Sequence, residues 1–195
     1  MTDGFSAYYD ATSARPPRAT LIFALQRFGA RTGFAVDLGC GEGRDTIELL
    51  RRSWSVLAID AEAEAIRRLR ARPDLPQGAA LETRVARFES CPWPRCDLVN
   101  ASFALPLVAP DLFEPLWDRI VASLKPGGRF AGQLYGARDG WAGRAGVTHH
   151  DREGIERLLS GLAIEMLDEE ESDAVTPRGT AKHWHIFHVV ARAPS

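Results

Sequence analysis

Cysteine is scarce, three residues in 195: Cys40, Cys91 and Cys96. Their odd number and the lack of any Cys-x-x-Cys pair argue against a disulfide framework and a structural zinc site, so no metal is expected. Long apolar runs are missing too. No segment approaches the roughly 20 uninterrupted apolar residues of a membrane-spanning helix. The opening Met1-Thr2-Asp3-Gly4-Phe5-Ser6 has neither the basic nor the apolar region of a secretory signal. Nor does either sign of charge dominate. With 24 basic against 26 acidic side chains the net charge is -2, which leaves no global positive field to gather a nucleic acid. The cluster Arg67, Arg68, Arg70 and Arg72 reads as the solvated face of a helix. These absences predict a cytoplasmic protein with no membrane partner and disfavour nucleic acid as a partner; they leave its oligomeric state open.

What is present is a globular composition, 45% hydrophobic and 26% charged, in a length that suits one domain. Residues 1–195 are expected to form that domain, with 1–17 as an N-terminal arm or lid. Apolar β-type runs alternate with helix-period stretches, which predicts an α/β fold, a mostly parallel sheet with helices on both faces. Leu21, Ile22, Leu25 and Phe28 recur at helical spacing from Arg18 to the stop at Gly29. A buried strand Phe34–Leu38, a helix Arg44–Arg52 and a strand Ser55–Ile59 ending on Asp60 complete one β-α-β unit. A helix from Ala61 to about Arg72, burying Ala65, Ile66 and Leu69, stops before Pro73.

A third strand around Leu81–Phe88 and a fourth over Asp97–Ala101 follow. Asp111 is expected to cap the clearest helix, whose stripe is Phe113, Leu116, Trp117, Ile120 and Leu124, with Pro115 in its first turn. Lys125-Pro126-Gly127-Gly128 reads as a sharp reversal into a fifth strand, Arg129–Tyr135, followed by a glycine-rich loop. A helix over Asp151–Leu159 and a closing pair of strands, Leu162–Leu167 and His183–Ala191, end the chain.

Chemistry concentrates where the first strand ends in Asp37-Leu38 and runs into Gly39-Cys40-Gly41-Glu42-Gly43. Glycines there let the backbone turn tightly and approach a ligand closely, and the helix that follows offers N–H groups and a partial positive end. A dinucleotide fingerprint, G-x-G-x-x-G, would need its third glycine at position 44, which is Arg44. Asp60 ends the next strand, where a carboxylate can accept hydrogen bonds from both hydroxyls of a ribose; it can also cap the helix starting at Ala61.

In this order, the acidic residue with its G-x-G-x-G turn, Asp60, and the block Lys125-Pro126-Gly127-Gly128-Arg129-Phe130 resemble class I S-adenosylmethionine-dependent methyltransferases over nearly the whole chain. Asp37 to Arg44, with the compact size, is similar to the small tellurite-resistance-type members. The resemblance implies a Rossmann-like fold of seven strands, the last antiparallel, and S-adenosyl-L-methionine as cofactor. It implies that Asp37 and the turn of Gly39, Cys40, Gly41 and Gly43 hold the methionine part. Asp60 and Ala61 would hold the ribose, and Arg87 and Phe88 would border the adenine. Arg87 stands where the family is often acidic, which shifts the adenine contact to Phe88 packing or a backbone N–H. Asn100-Ala101-Ser102-Phe103 lacks the two prolines of the Asn-Pro-Pro-Tyr motif of base-methylating enzymes, and this points to a small-molecule acceptor. Asn100 faces the sulfonium or the substrate, or caps the strand end.

Methyl transfer from a sulfonium is an in-line displacement that mainly needs alignment and a dry site. A neutral His149 or His150 could take a proton from an oxygen or amine acceptor. Tyr8, Tyr9 and Trp141 are candidates by position, on the arm and the loop expected to cover the cleft. His183, His185 and His188 alternate in one strand, the first two on one face and the third on the other, which argues against a shared metal. Trp184, Ile186 and Phe187 read as core rather than as an aromatic cage. No catalytic residue is assigned. A nicotinamide-dependent oxidoreductase on a related fold and a non-catalytic S-adenosylmethionine-binding module are the alternatives.

Overall fold

The apolar runs of the central strands pair side by side because their hydrophobic side chains need cover on both faces. The computed structural model describes Tyr9, Asp10, Thr12 and residues 15–195; Tyr8 and the start of the arm lie outside them. Strands β1 (Phe34–Leu38), β2 (Ser55–Asp60), β3 (Leu81–Val85), β4 (Cys96–Ala101) and β5 (Leu124–Gly136) are joined in parallel. A hairpin of β7 (Ala163–Val175) and β8 (Ala181–Arg192) closes the sheet, and β8, the last strand, runs antiparallel to β5. The order is β3-β2-β1-β4-β5-β8-β7, with the two-residue β6 (His149–His150) pairing the end of β5. This is the mostly parallel sheet with an antiparallel last strand expected from the sequence. Its order reverses between β1 and β4. In open α/β sheets such a switch point leaves a crevice at the carboxyl ends of the strands.

Alternation along each strand splits the core in two. Ala35, Val56, Ala58, Leu98 and Ala131 face helices α1 (Ala19–Phe28), α2 (Arg44–Arg51) and α3 (Ala63–Arg70), through Leu21, Leu25, Ile47, Leu50, Ile66 and Leu69. Val36, Leu57, Val99, Phe130 and Phe187 face α4 (Pro110–Ser123) and α5 (Arg152–Leu158), through Phe113, Trp117, Ile120 and Ile155. Asp37 pairs with Ala58 and Asn100, and Asn100 with Ala131. Directly paired residues share a face, so Asp37, Asp60, Asn100 and Gln133 all open toward the side of α1, α2 and α3.

Five expectations need correction. Helix α4 starts at Pro110 with Ala109 at its N-cap, so Asp111 is an acidic first-turn residue rather than the cap; proline suits a first helical position because the N–H it lacks has no partner there anyway. Pro115 therefore sits inside the helix and leaves the Asp111 carbonyl without its usual donor. Lys125–Gly128 does not interrupt the strand. Pairing runs through it as an irregularity between Cys96↔Leu124 and Leu98↔Arg129, with Gly127 at φ 71. The third strand ends at Val85, short of Phe88. Finally, the hairpin is longer than its apolar pattern suggests. Glu169, Glu170, Glu171 and Asp173 remain in strand because β8 supplies both backbone partners and the histidines that pair with them.

Candidate functional site

At the carboxyl end of β1 the chain reverses through Gly39, Gly41 and Gly43, whose φ angles of 66, 56 and 90 fall in the left-handed region. The turn is sewn to β2. Gly39 N and Cys40 N donate to the Ile59 carbonyl at 2.8 and 3.1 Å, and Gly43 N to Cys40 O at 3.0 Å. Gly41 N donates to Asp60 Oδ2 at 2.8 Å, while Asp60 Oδ1 accepts from Glu62 N at 2.9 Å. Four amides of the turn are therefore already engaged within the protein. Each Asp60 oxygen keeps a second acceptor position, so a pair of hydroxyls can still be bound.

What surrounds the turn is carboxylate. Asp37, Glu42, Asp45 and Asp60 are 2%, 5%, 4% and 9% exposed. Asp37 accepts from Thr46 Oγ1 at 2.5 Å and from Asn100 Nδ2 at 2.9 Å. The same Asn100 amide reaches Asp45 Oδ2 at 3.2 Å, which also accepts from Ser102 Oγ at 2.5 Å; Asp45 Oδ1 accepts from Arg18 N at 2.9 Å. Burial, followed by the charge of Asp45, pushes the Asp37 carboxyl up to about 7. Burial also raises Asp60, against the backbone hydrogen bonds that hold it down. Above them Tyr9 packs near Gly41, Thr12 Oγ1 donates to Glu42 at 3.1 Å, and Asp10 pairs with Arg68 at 2.5 Å. Burial and then Asp60, Glu62 and Glu42 raise the Tyr9 phenol above its ordinary range.

S-adenosylmethionine carries a sulfonium, an ammonium and two ribose hydroxyls, and this set of residues fits those groups. Buried carboxylates favour a cation and disfavour the pyrophosphate of a dinucleotide. The buried Asn100 Oδ1 and Gln133 Oε1 have no hydrogen-bond donor among the described residues, and such acceptors are satisfied by a ligand's N–H or O–H or by water. The glycines matter for a second reason. A Cβ on Gly39 would come 2.5 Å from that of Ala104, so only glycine lets the segment after β4 close against the turn.

Of the sequence-derived site residues, Asp37, Gly39, Cys40, Gly41, Gly43, Asp60 and Asn100 come together here. Asn100 does more than cap a strand, since it joins two carboxylates. Phe88 lies beside the turn, its ring 3.7 Å from a Cβ placed on Gly39. Arg87 points outward and pairs with Glu89, and Ala61 is exposed just past Asp60. Asp45, Ser102 and Gln133 escaped the sequence reading. Asp45 did carry a signal, an acid in the first turn of the helix that follows the glycines.

The carboxyl ends of β4 and β5 carry aromatic side chains. Phe103 has φ 57, an outlier for a bulky residue, and its ring meets Tyr135 and Trp184 edge-on at centroid distances of 6.5 and 6.2 Å, with Arg18 stacked on it at 4.3 Å. Trp184 was expected in the core. It instead stands half-buried with Trp141 and Tyr135 around the Lys182 ammonium, because the hairpin projects beyond β5. The three histidines of β8 are spent on β7 carboxylates, His183 and His185 on one face and His188 on the other, as alternation requires.

His149 is exposed, and His150 lies against Phe113 with ring centroids 4.7 Å apart. Burial, and then His149, pushes His150 down to about 4. The folded chain thus holds His150 neutral where the unfolded chain, with a pKa of about 6.5, binds a proton, so its contribution to stability is lost as pH falls from 6.5 toward 4. Lowering the pH from 8 to 5 should cost the parent about 2 kcal/mol at this residue, a loss that His150→Phe escapes. Urea unfolding of both proteins at the two pH values measures the difference. The rise at Asp37 acts with the opposite sign but is common to both chains and cancels. An unchanged gap between parent and variant would mean that His150 titrates normally.

Residues 35–128 match the family model described as a methyltransferase domain. Over 105 residues the chain is 36% identical to the trans-aconitate 2-methyltransferase of Rhodopseudomonas palustris (strain HaA2), an alignment covering 52% of this chain and 38% of that protein. The chain thus spans well under half the length of the curated relatives it matches. Among solved structures it is similar to TehB from Haemophilus influenzae, with a TM-score of 0.80 at 12% identity, over 95% of this chain and 65% of that one. It is also similar to the 1,6-didemethyltoxoflavin-N1-methyltransferase of Burkholderia thailandensis, solved with 1,6-didemethyltoxoflavin and S-adenosylhomocysteine, with a TM-score of 0.69 at 21% identity, over 97% and 85%. No helix among the described residues is long and apolar enough to cross a membrane.

Proposed function

From the premise that this chain is of the class I methyltransferase type, in family match, fold and motif, we propose that it transfers a methyl group from S-adenosylmethionine to a small-molecule acceptor. The single observation that carries the reading is the ring of buried carboxylates, Asp37, Glu42, Asp45 and Asp60, around the glycine turn at the switch point. That environment stabilises a cationic ligand and repels a pyrophosphate.

When bound, the cofactor supplies a methyl group activated on a sulfonium. The chain's own residues bind and orient. Asp60 takes the ribose hydroxyls while fixing the turn through Gly41 and Glu62. Asp37, oriented by Thr46 and Asn100, faces the positive end, and Phe88 borders the base. Tyr9, Thr12 and Arg18 cover the turn, tied down by Thr12 to Glu42 and by the Arg18 amide to Asp45, which excludes water from the displacement. No side chain in the site is assigned as a base.

Acceptors approach from the ends of β4 and β5, past Ser102 and Phe103. The curated relatives are named for trans-aconitate, so small carboxylic acids come first in an acceptor screen with labelled methyl groups, followed by planar heterocycles. Calorimetry tests the cofactor assignment. S-adenosylmethionine should bind in the micromolar range and NADH should not, and a protein that binds NADH but no S-adenosylmethionine would belong to the oxidoreductase reading. Cofactor binding without transfer to any acceptor would favour a binding module.

A further inference from the structure

Beyond β5, three elements meet around one ammonium. Lys182 is on β8, its side chain 1% exposed, and Nζ lies 3.6, 3.9 and 4.1 Å from the ring centroids of Trp184, Tyr135 and Trp141. Trp184 shares its strand, Tyr135 is the next-to-last residue of β5, and Trp141 belongs to the 137–148 loop. Asp139, in that loop, has Oδ1 at 2.8 Å from Nζ. The approach is not an aligned hydrogen bond, so the ring faces supply the rest of the ammonium's surroundings. Asp139 is also fixed from behind, accepting from Trp141 N at 2.9 Å and His185 N at 3.2 Å, and Gly140 N donates to His183 O at 2.8 Å.

We propose that Tyr135, Trp141 and Trp184 form a cation-binding aromatic box which this chain fills from within by Lys182, and that the filled box latches the 137–148 loop to the β7–β8 hairpin. The site's ligand class is a small alkylammonium, and the native occupant is the lysine. Aromatic faces attract a desolvated cation through the negative face of the ring, and three of them act together here. Burial lowers the Lys182 pKa, against Asp139, which raises it. On the reading given under Proposed function, the latch sets the wall past which the acceptor approaches, since Trp184 and Tyr135 also contact Phe103.

Trypsin reads the latch directly, because Arg138 and Arg144 bracket Trp141 in the loop. In Lys182→Ala, cleavage at these two sites should speed up at least tenfold, with a red shift of tryptophan emission. Tetramethylammonium chloride should restore both toward the parent, whereas sodium chloride and tert-butanol at the same concentration should not. The double variant Lys182→Met/Asp139→Asn removes both charges and keeps apolar bulk; it too should be cleaved fast. Were the pair only an ion pair, replacing both partners would be nearly neutral. Protection of the double variant equal to the parent, or no response of Lys182→Ala to tetramethylammonium, overturns the proposal. Circular dichroism guards against global unfolding. S-adenosylhomocysteine titration is run alongside: a parent that does not bind it fails the methyltransferase reading and leaves the box untouched, while Lys182→Ala should bind it like the parent, since the cofactor cradle is built on other strands.

Discussion

Asp60→Ala should weaken S-adenosylmethionine binding about 100-fold or more, the loss of two hydrogen bonds to a charged acceptor. The residue acts twice. Its carboxylate offers one free acceptor position on each oxygen to the ribose, and its other two positions hold Gly41 N and Glu62 N. Removing it therefore deletes ligand contacts and also leaves two turn amides without their partner. Asp60→Asn separates these roles incompletely, because an amide NH2 placed toward Gly41 N would set donor against donor; its affinity should fall nearly as far. Calorimetry on the parent and both variants measures this. Binding by Asp60→Ala within about threefold of the parent would remove Asp60 from the ribose role.

The chain's own pattern went far toward this site, for a physical reason. Asp37, Gly39 to Gly43 and Asp60 are legible because each sits at the end of a short buried strand, and a parallel sheet aligns strand ends on one side. Strand β1 was readable to the residue, its four buried positions bounded by glycines. The partners of Asp37 were not legible. Asn100 is 63 positions away and reaches it only because β4 lies beside β1, a pairing that no local pattern encodes. Asp45 and Ser102 belong to the same class of contact.

The missed elements share another cause, competition between local signal and tertiary context. Residues 168–173 hold five acids in six, which reads as loop, yet the backbone pairs with β8 and the acids find His183, His185, His188, Arg138 and Arg152. The charges also blunt an exposed sheet edge against pairing with another chain. The start of α4 lies two residues earlier than expected for a smaller reason: Pro110 occupies the first helical position, and proline there is as good a signal as an Asp cap. Trp184 looked like core because alternation was counted without the length of the hairpin. Past the end of β5 there is no sheet neighbour to cover it, and Lys182 with Trp141 does so instead.

Gly39→Val should be the most destabilising single change in the turn, at about 2 to 5 kcal/mol, a large part of the 5 to 15 kcal/mol that holds a typical domain. Two costs add. A β-branched residue at φ 66 is strained wherever it stands, and its Cβ would lie 2.5 Å from that of Ala104, which has no rotamer to yield. A double-mutant cycle with smaller steps separates them. Gly39→Ala carries both costs in part. Ala104→Gly removes the collision, so the double variant should be more stable than the sum of the singles predicts, by about 1 to 3 kcal/mol, leaving only the φ strain. Urea unfolding of the four proteins gives the coupling, and strict additivity would show that the two segments are not held in contact. The same cycle bears on function. Ala104 directly follows Phe103, so the contact with Gly39 joins the cofactor turn to the edge where the acceptor enters. Cofactor affinity should fall in Gly39→Ala and recover in part when Ala104 is reduced to glycine.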